Sequence, residues 1–254
     1  MAEGSAFERL RAIMARLRDA EHGCEWDRAQ TFRSIAPYTI EEAYEVADAI
    51  ERDDAAALRD ELGDLQLQVV FHARIAEDLG LFDVDDVLRG IADKMERRHP
   101  HIFGDADTPG WESIKAEERA ALADKSALAG VAIALPALSR AEKIGKRASR
   151  VGFDWPDAEG ARLKVDEELA ELANAATAAE REEEFGDLLF AITNLARHLK
   201  IDPEAALRQA TTKFERRFRA VEAAAPRPLS ALDADALDAL WRAVKAKEQQ
   251  PSSD

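Results

Sequence analysis

Glu167-Glu168-Leu169-Ala170-Glu171 and, thirteen residues further on, Glu184-Phe185-Gly186-Asp187 are the most informative stretch of this 254-residue chain. A helix turns about 100° per residue, so side chains three and four apart share a face. Glu168 and Glu171 are three apart, as are Glu184 and Asp187, and Glu167 adds a carboxylate four residues before Glu171. Like charges at this spacing cost an exposed helix about 0.2–0.5 kcal/mol per pair. Burying them together costs more and raises their pKa values. Leu188, Leu189, Phe190, Ile192 and Leu195 follow Asp187 and are apolar enough to bury part of that face. Two antiparallel helices would bring four carboxylates together. A hard divalent cation, Mg2+ or Mn2+, cancels such charge with oxygen ligands alone.

The same pattern occurs upstream, as Glu41-Glu42-Ala43-Tyr44-Glu45 and Glu61-Leu62-Gly63-Asp64. Trp26 precedes the first copy as Trp155 precedes the second. Lys94, Arg97 and Arg98 correspond to Lys213, Arg216 and Arg217, and Trp111 with Lys115 corresponds to Trp241 with Lys245. Two long copies suggest a duplicated helical domain rather than a solenoid of short repeats. A lone acidic pair is most simply a solvated helix face. Ordered recurrence with downstream cations argues instead for metals that grip a polyphosphate, whose remaining charge Lys and Arg neutralise.

Composition agrees with helices. The chain is 46% hydrophobic and 34% charged but only 6% aromatic, and it is rich in Ala and Leu. No strand-like alternation with hairpin turns appears. A net charge of −16 argues against nucleic-acid binding, which needs a basic face. The single cysteine, Cys24, suits a reducing cytoplasm and reads as a packed thiol. The amino terminus enters an amphipathic pattern without a signal-peptide signature. The longest apolar run, 127–138, holds Gly130 and Pro136 and is too short to span a membrane. The expectation is a cytoplasmic protein that binds neither membrane nor nucleic acid.

Along the chain, Phe7, Leu10, Ile13, Met14 and Leu17 mark a first helical face, and 22–27 reads as a loop. Thr39 after Pro37 reads as the N-cap of a helix over 40–51, followed by helices over 55–79, capped by Gly80, and 84–98. Pro100 opens a loop, and a short helix begins near Trp111. Residues 127–150 read as a linker followed by a basic helix bearing Arg140, Lys143, Lys146, Arg147 and Arg150, most simply a solvated face. The organisation expected is a helical domain over 1–125, the linker and basic helix over 126–150, and a second helical domain over 151–254. Of the histidines, His99 and His101 read as loop or packing residues, and His72 and His198 as satisfied core or interface residues.

Asn194 lies seven residues after Asp187 on the same helical face, whereas Phe71 holds that place after Asp64. An amide there can hydrogen-bond a base or sugar, or merely a neighbouring helix; a Phe can only pack. This difference favours the second copy for chemistry. Trp241, with Lys245 one turn on, reads equally as a base-stacking platform or as a core or interface residue.

With Glu-Glu-x-x-Glu followed by Glu-x-x-Asp, the chain resembles the MazG family of nucleoside triphosphate pyrophosphohydrolases, in its two-domain bacterial form within the all-α NTP pyrophosphatase group. The stretches Gly23-Cys24-Glu25-Trp26-Asp27, Ile35-Ala36-Pro37-Tyr38-Thr39, Arg97-Arg98-His99-Pro100-His101, Val151-Gly152-Phe153-Asp154-Trp155 and Lys213-Phe214-Glu215-Arg216-Arg217 extend the resemblance over nearly the whole chain. It implies an all-α fold of two tandem helical bundles, a homodimer, Mg2+ dependence and cleavage between the α- and β-phosphates. It implies metal ligands at Glu168, Glu171, Glu184 and Asp187, with an equivalent set at Glu42, Glu45, Glu61 and Asp64. It implies nucleotide contacts at Lys164, Glu167, Glu183, Lys213, Arg217, Trp241 and Lys245.

The reaction expected is hydrolysis of NTPs and dNTPs to monophosphate and pyrophosphate, as nucleotide-pool housekeeping. Glu167 or a neighbouring carboxylate would orient the attacking water, and Lys213 and Arg217 would offset charge on the leaving pyrophosphate. Competing readings are a relative specialised for dUTP, dCTP or phosphoribosyl-ATP, and a non-catalytic metal-binding adaptor. A di-iron bundle expects Glu-x-x-His on its helices, which no ligand helix here carries.

Overall fold

Eleven α-helices and one 3-10 turn make up the regular structure of the described residues, 5–104 and 124–249, in a computed structural model, and no strand occurs among them. The chain divides into two compact units, Met1–Lys115 and Ala116–Asp254. Trp111 and Lys115, and the short helix expected near them, lie outside the described residues.

The first unit contains α1 (Ala6–Leu17), α2 (Glu25–Ala29), α3 (Phe32–Glu51), α4 (Ala55–Asp78), α5 (Val84–Arg98) and the single turn α6 (Pro100–Phe103). Local chemistry sets most of the ends. Ser5 caps α1 in a reciprocal box with Glu8, Asp54 caps α4, and Asp83 boxes with Asp86 on α5. Gly80, at φ 68°, follows the end of α4 as a C-terminal glycine should. Met14, Ile35, Val70, Phe71, Ile75 and Val84 form the buried core.

Three local expectations are corrected. Helix α3 begins eight residues earlier than Thr39 indicates. Thr31 and Ser34 form its capping box, and Pro37 sits inside it. Proline forfeits one helical hydrogen bond there, but the added turn carries Ile35 into the core, so packing outweighs local propensity. The expected loop at 22–27 contains the start of α2, whose first turn holds Glu25 and Asp27, where the helix dipole favours acids. Cys24 precedes that helix and is exposed, so it is not a packed thiol.

The second unit contains α7 (Ala137–Ser149), α8 (Ala158–Asn174), α9 (Ala178–His198), α10 (Pro203–Ala224), a 3-10 turn (Leu229–Ala231) and α11 (Ala234–Gln249). The basic helix anticipated after the linker is α7. It packs against α9 and α10, with Gly145 buried at the contact and Arg140 and Arg147 half-buried. The most extensive packing in each unit is between two long helices, α3 with α4 and α8 with α9. Three residues join each pair, which makes them antiparallel hairpins. These two hairpins carry the carboxylates.

Candidate metal and nucleotide site

In the second unit Glu168 and Glu171 project from α8 and Glu184 from α9. One carboxylate oxygen of each lies within 4.8 Å of the other two. Glu42 and Glu45 on α3 and Glu61 on α4 form the same three-membered group in the first unit. The spacing that put the acids on one helical face therefore also turned those faces toward each other. The fourth member of each expected set, Asp187 or Asp64, is exposed and is not among the three that meet, although its charge acts on them.

The electrostatics of both groups are unfavourable without a cation. Desolvation, then the charges of Glu171, Glu168 and Asp187, push the Glu184 carboxyl above its ordinary range. Desolvation with Asp64 and Glu45 raises Glu42, and desolvation with Glu45 and Asp64 raises Glu61.

Glu168 is the deepest acid, only 4% exposed. Lys164 Nζ lies 2.7 Å from its Oε1 and 2.6 Å from Glu167 Oε1, and those two carboxylates hold the ammonium above its ordinary pKa. Glu168 Oε2 is buried without a hydrogen-bond partner. A buried carboxylate oxygen without a donor is costly unless a cation completes it. An orphaned oxygen on a carboxylate that belongs to such a cluster fits Mg2+ or Mn2+.

The first unit braces its acid differently. Tyr38 occupies the place four residues before Glu42 that Lys164 holds before Glu168. The Gln68 amide Nε2 donates to Glu42 Oε1 at 3.4 Å, while Gln68 Oε1 is buried without a partner. Gln68 carries no signal in the sequence, because it lies four residues past the motif among mostly apolar neighbours.

The remaining nucleotide candidates form a separate group on α10 and α11. Trp241 packs against Phe214 with ring centroids 5.4 Å apart. Arg217 Nε donates to Glu248 Oε2 at 2.7 Å, and Lys213 and Lys245 are exposed. Among the described residues no hydrogen bond or ion pair joins this group to the carboxylates. Glu183 is exposed beside Glu184 and adds to the negative charge on it.

Asn194 is buried on α9, and its Oδ1 accepts from Arg197 Nε at 3.3 Å. Arg197 in turn grips Asp154 through Nη1 at 2.8 Å and through Nη2, and His198 Nε2 lies 3.0 Å from the same carboxylate. These contacts hold Asp154 down at about 2, Arg197 being the larger cause. Asp154 lies in a stretch that carries the resemblance, but no periodicity in the sequence indicates that it meets Arg197. Phe71, in the place equivalent to Asn194, is buried 6.4 Å from Trp26, and Trp26 also lies 6.4 Å from Tyr38. The helix histidines have partners, as expected: His72 Nε2 lies 3.0 Å from Thr39 Oγ1, and His198 meets Asp154.

The chain is similar to known proteins. The MazG nucleotide pyrophosphohydrolase domain matches residues 30–103, which hold all four first-copy acids. The nucleoside triphosphate pyrophosphohydrolase of Escherichia coli K12 is 50% identical over 95% of this chain and 98% of its own length. A Thermotoga maritima protein named nucleoside triphosphate pyrophosphohydrolase/pyrophosphatase MazG is 47% identical over 97% of this chain and 98% of its own. The uncharacterized protein YabN of Bacillus subtilis is 42% identical over 96% of this chain but only 52% of its own length. Similarity of this extent, spanning both copies and their helical frame, establishes that the chain belongs to the MazG family.

Proposed function

We propose that this chain hydrolyses nucleoside triphosphates to monophosphate and pyrophosphate, with Mg2+ or Mn2+, at the carboxylate cluster of its second unit. It is a hydrolase of phosphoric anhydrides, a nucleoside triphosphate pyrophosphohydrolase like the relatives it matches. The observation that carries the reading is the convergence of Glu168, Glu171 and Glu184, one of which, Glu168, keeps a buried oxygen without a hydrogen-bond partner.

Glu168, Glu171, Glu184 and Asp187 would hold the cation. When bound, it supplies Lewis acidity and charge neutralisation for the triphosphate. Lys164 holds Glu168 in place and keeps one positive charge at the cluster. Glu167, exposed at its edge, is suited to orient water and accept its proton. Water adds to phosphorus as the anhydride bond to pyrophosphate breaks. Lys213, Arg217, Trp241, Lys245 and Glu183 are assigned to the nucleotide on the strength of the family resemblance. The same resemblance supports a homodimer and a housekeeping role in the nucleotide pool. No helix among the described residues is long and apolar enough to cross a membrane.

The test compares Glu171→Gln with Glu45→Gln, reading pyrophosphate release from a panel of NTPs and dNTPs with Mg2+. Glu171→Gln should lower turnover on the order of a hundredfold or more, and Glu45→Gln should leave most of it. Unchanged turnover in Glu171→Gln removes the second cluster from the chemistry.

A further inference from the structure

Glu248 is an acid that the carboxylate chemistry leaves unexplained, and it meets the arginine assigned to the nucleotide. Its Oε2 accepts from Arg217 Nε at 2.7 Å, and its Oε1 accepts from Arg216 Nε at 3.2 Å and Nη2 at 3.0 Å. One carboxylate on α11 thus engages two guanidiniums on α10. We propose that Glu248 is a positioning residue for the triphosphate: it holds Arg217 by Nε and aims the remaining Nη1–Nη2 edge at phosphate oxygens. The inference rests on Arg217 being a nucleotide contact in the proposed reaction.

The open edge of Arg217 is the first argument. A guanidinium presents its N–H donors in a rigid plane. Glu248 takes the Nε donor, and Nη1 and Nη2 have no hydrogen-bond partner among the described residues. Those two nitrogens form a fork that meets phosphate through parallel bonds. The Arg217 side chain is 19% exposed and that of Arg216 68%. Arg217 is therefore the enclosed one of the two, with its rotamers restricted before a ligand arrives. Such preorganisation removes part of the ordering cost of binding.

Charge separates a support from a competitor. A carboxylate paired with one arginine would cancel it and rival phosphate. Glu248 is shared by two, which leaves one positive charge uncancelled for the ligand. Hydrogen bonding to Arg217, ahead of Arg216, keeps the Glu248 carboxyl below its ordinary range, so the grip persists at neutral pH.

Helical spacing brings the parts together. Trp241, Lys245 and Glu248 are four and three residues apart and share a face of α11. Phe214 and Arg217 share a face of α10, and Phe214 meets Trp241 with ring centroids 5.4 Å apart. The Glu248 contact therefore ties the α10 face bearing Arg217 to the α11 face bearing Trp241 and Lys245. The first copy repeats the spacing in sequence as Trp111, Lys115 and Glu118, which marks the glutamate as part of the duplicated pattern.

The test measures kcat and KM for whichever common NTP or dNTP the unaltered protein turns over fastest with Mg2+, and adds Mg2+ affinity by calorimetry. Glu248→Ala should lower kcat/KM about tenfold or more, with Mg2+ affinity unchanged. Glu248→Gln, which keeps an acceptor for Nε, should retain more of it. In an Arg217→Met background, Glu248→Ala should cost nothing further. An equal loss in both backgrounds would make the glutamate a brace between helices and overturn the inference. So would an unchanged or raised kcat/KM in folded Glu248→Ala, the latter marking a competitor of phosphate. Glu248→Gln carries the same cycle, with a smaller loss, if Glu248→Ala does not fold. If Arg217→Met alone leaves turnover intact, the arginine is no nucleotide contact, and this inference falls while the carboxylate reading stands. If the unaltered protein releases no pyrophosphate from any triphosphate, both fall.

Discussion

Lys164 Nζ sits 2.7 Å from Glu168 Oε1, whereas the other oxygen of that buried carboxylate has no donor. Half of the acid is thus satisfied by the protein and half is left for a ligand. The lysine is four residues before the glutamate, so one turn of α8 builds the pair.

Removing that lysine separates the two halves. Lys164→Met should destabilise the metal-free protein by about 1–2 kcal/mol, since Glu168 loses its one charged partner among the described residues while Lys164 itself is partly solvated. The gain in melting temperature on adding Mg2+ should exceed that of the unaltered protein, because the cation then compensates more. Thermal melts with and without Mg2+ measure both. An unchanged metal-free melting temperature would show that the pair contributes nothing.

Glu184 gives the opposite sign. Desolvation and the neighbouring carboxylates raise its carboxyl above the ordinary 4.5, so it binds its proton more tightly in the folded chain than in the unfolded one. Stability from this group therefore falls as pH rises from 4.5 through the raised value, and neutral pH lies on the unfavourable side. Glu184→Gln should raise the metal-free melting temperature at pH 7 and abolish most of the Mg2+-induced gain. A lower metal-free melting temperature would contradict the repulsion.

Asp154 titrates the other way. Its pKa falls from 3.8 to about 2 in the fold, chiefly through Arg197, and its side chain is 21% exposed. The associated stability, about 2 kcal/mol, is complete above pH 4 and disappears as pH falls through 2. Asp154→Asn should lose it at neutral pH, and the gap from the unaltered protein should close in acid. Urea titrations from pH 7 downward read this. A gap independent of pH would mean that the carboxylate charge is irrelevant.

Gly23 tests the turn between α1 and α2. A Cβ at this position would lie 2.4 Å from Leu17 O and 2.5 Å from Asp19 O, both backbone atoms with little freedom to move. Gly23→Ala should destabilise the first unit by about 2 kcal/mol or more and leave catalysis at the second unit near its unaltered rate. Hydrogen exchange resolved by unit, with turnover as the second readout, checks it.

The sequence and the structure agree where the signal is local. The pairs Glu168/Glu171 and Glu184/Asp187 lie on helical faces by arithmetic alone, and three of the four acids in each copy meet as expected. Helix α5 spans the expected 84–98 because Asp83 caps one end and Pro100 follows the other. Local signals failed at Pro37, where burial of Ile35 carries the helix through a proline, and at Cys24, whose exposure depends on how the α1–α2 turn is laid down. Asp154 with Arg197, and Gln68 with Glu42, were not legible, because each joins residues that only tertiary packing brings together.

The three-residue links between α3 and α4 and between α8 and α9 have a kinetic consequence. Each acid group is assembled from a single hairpin, with low contact order, so the oxygens meet as soon as that hairpin closes. Closure must then proceed against carboxylate repulsion unless protons or cations are already at hand. Refolding of this chain should accelerate with free Mg2+, through its earliest step rather than its last.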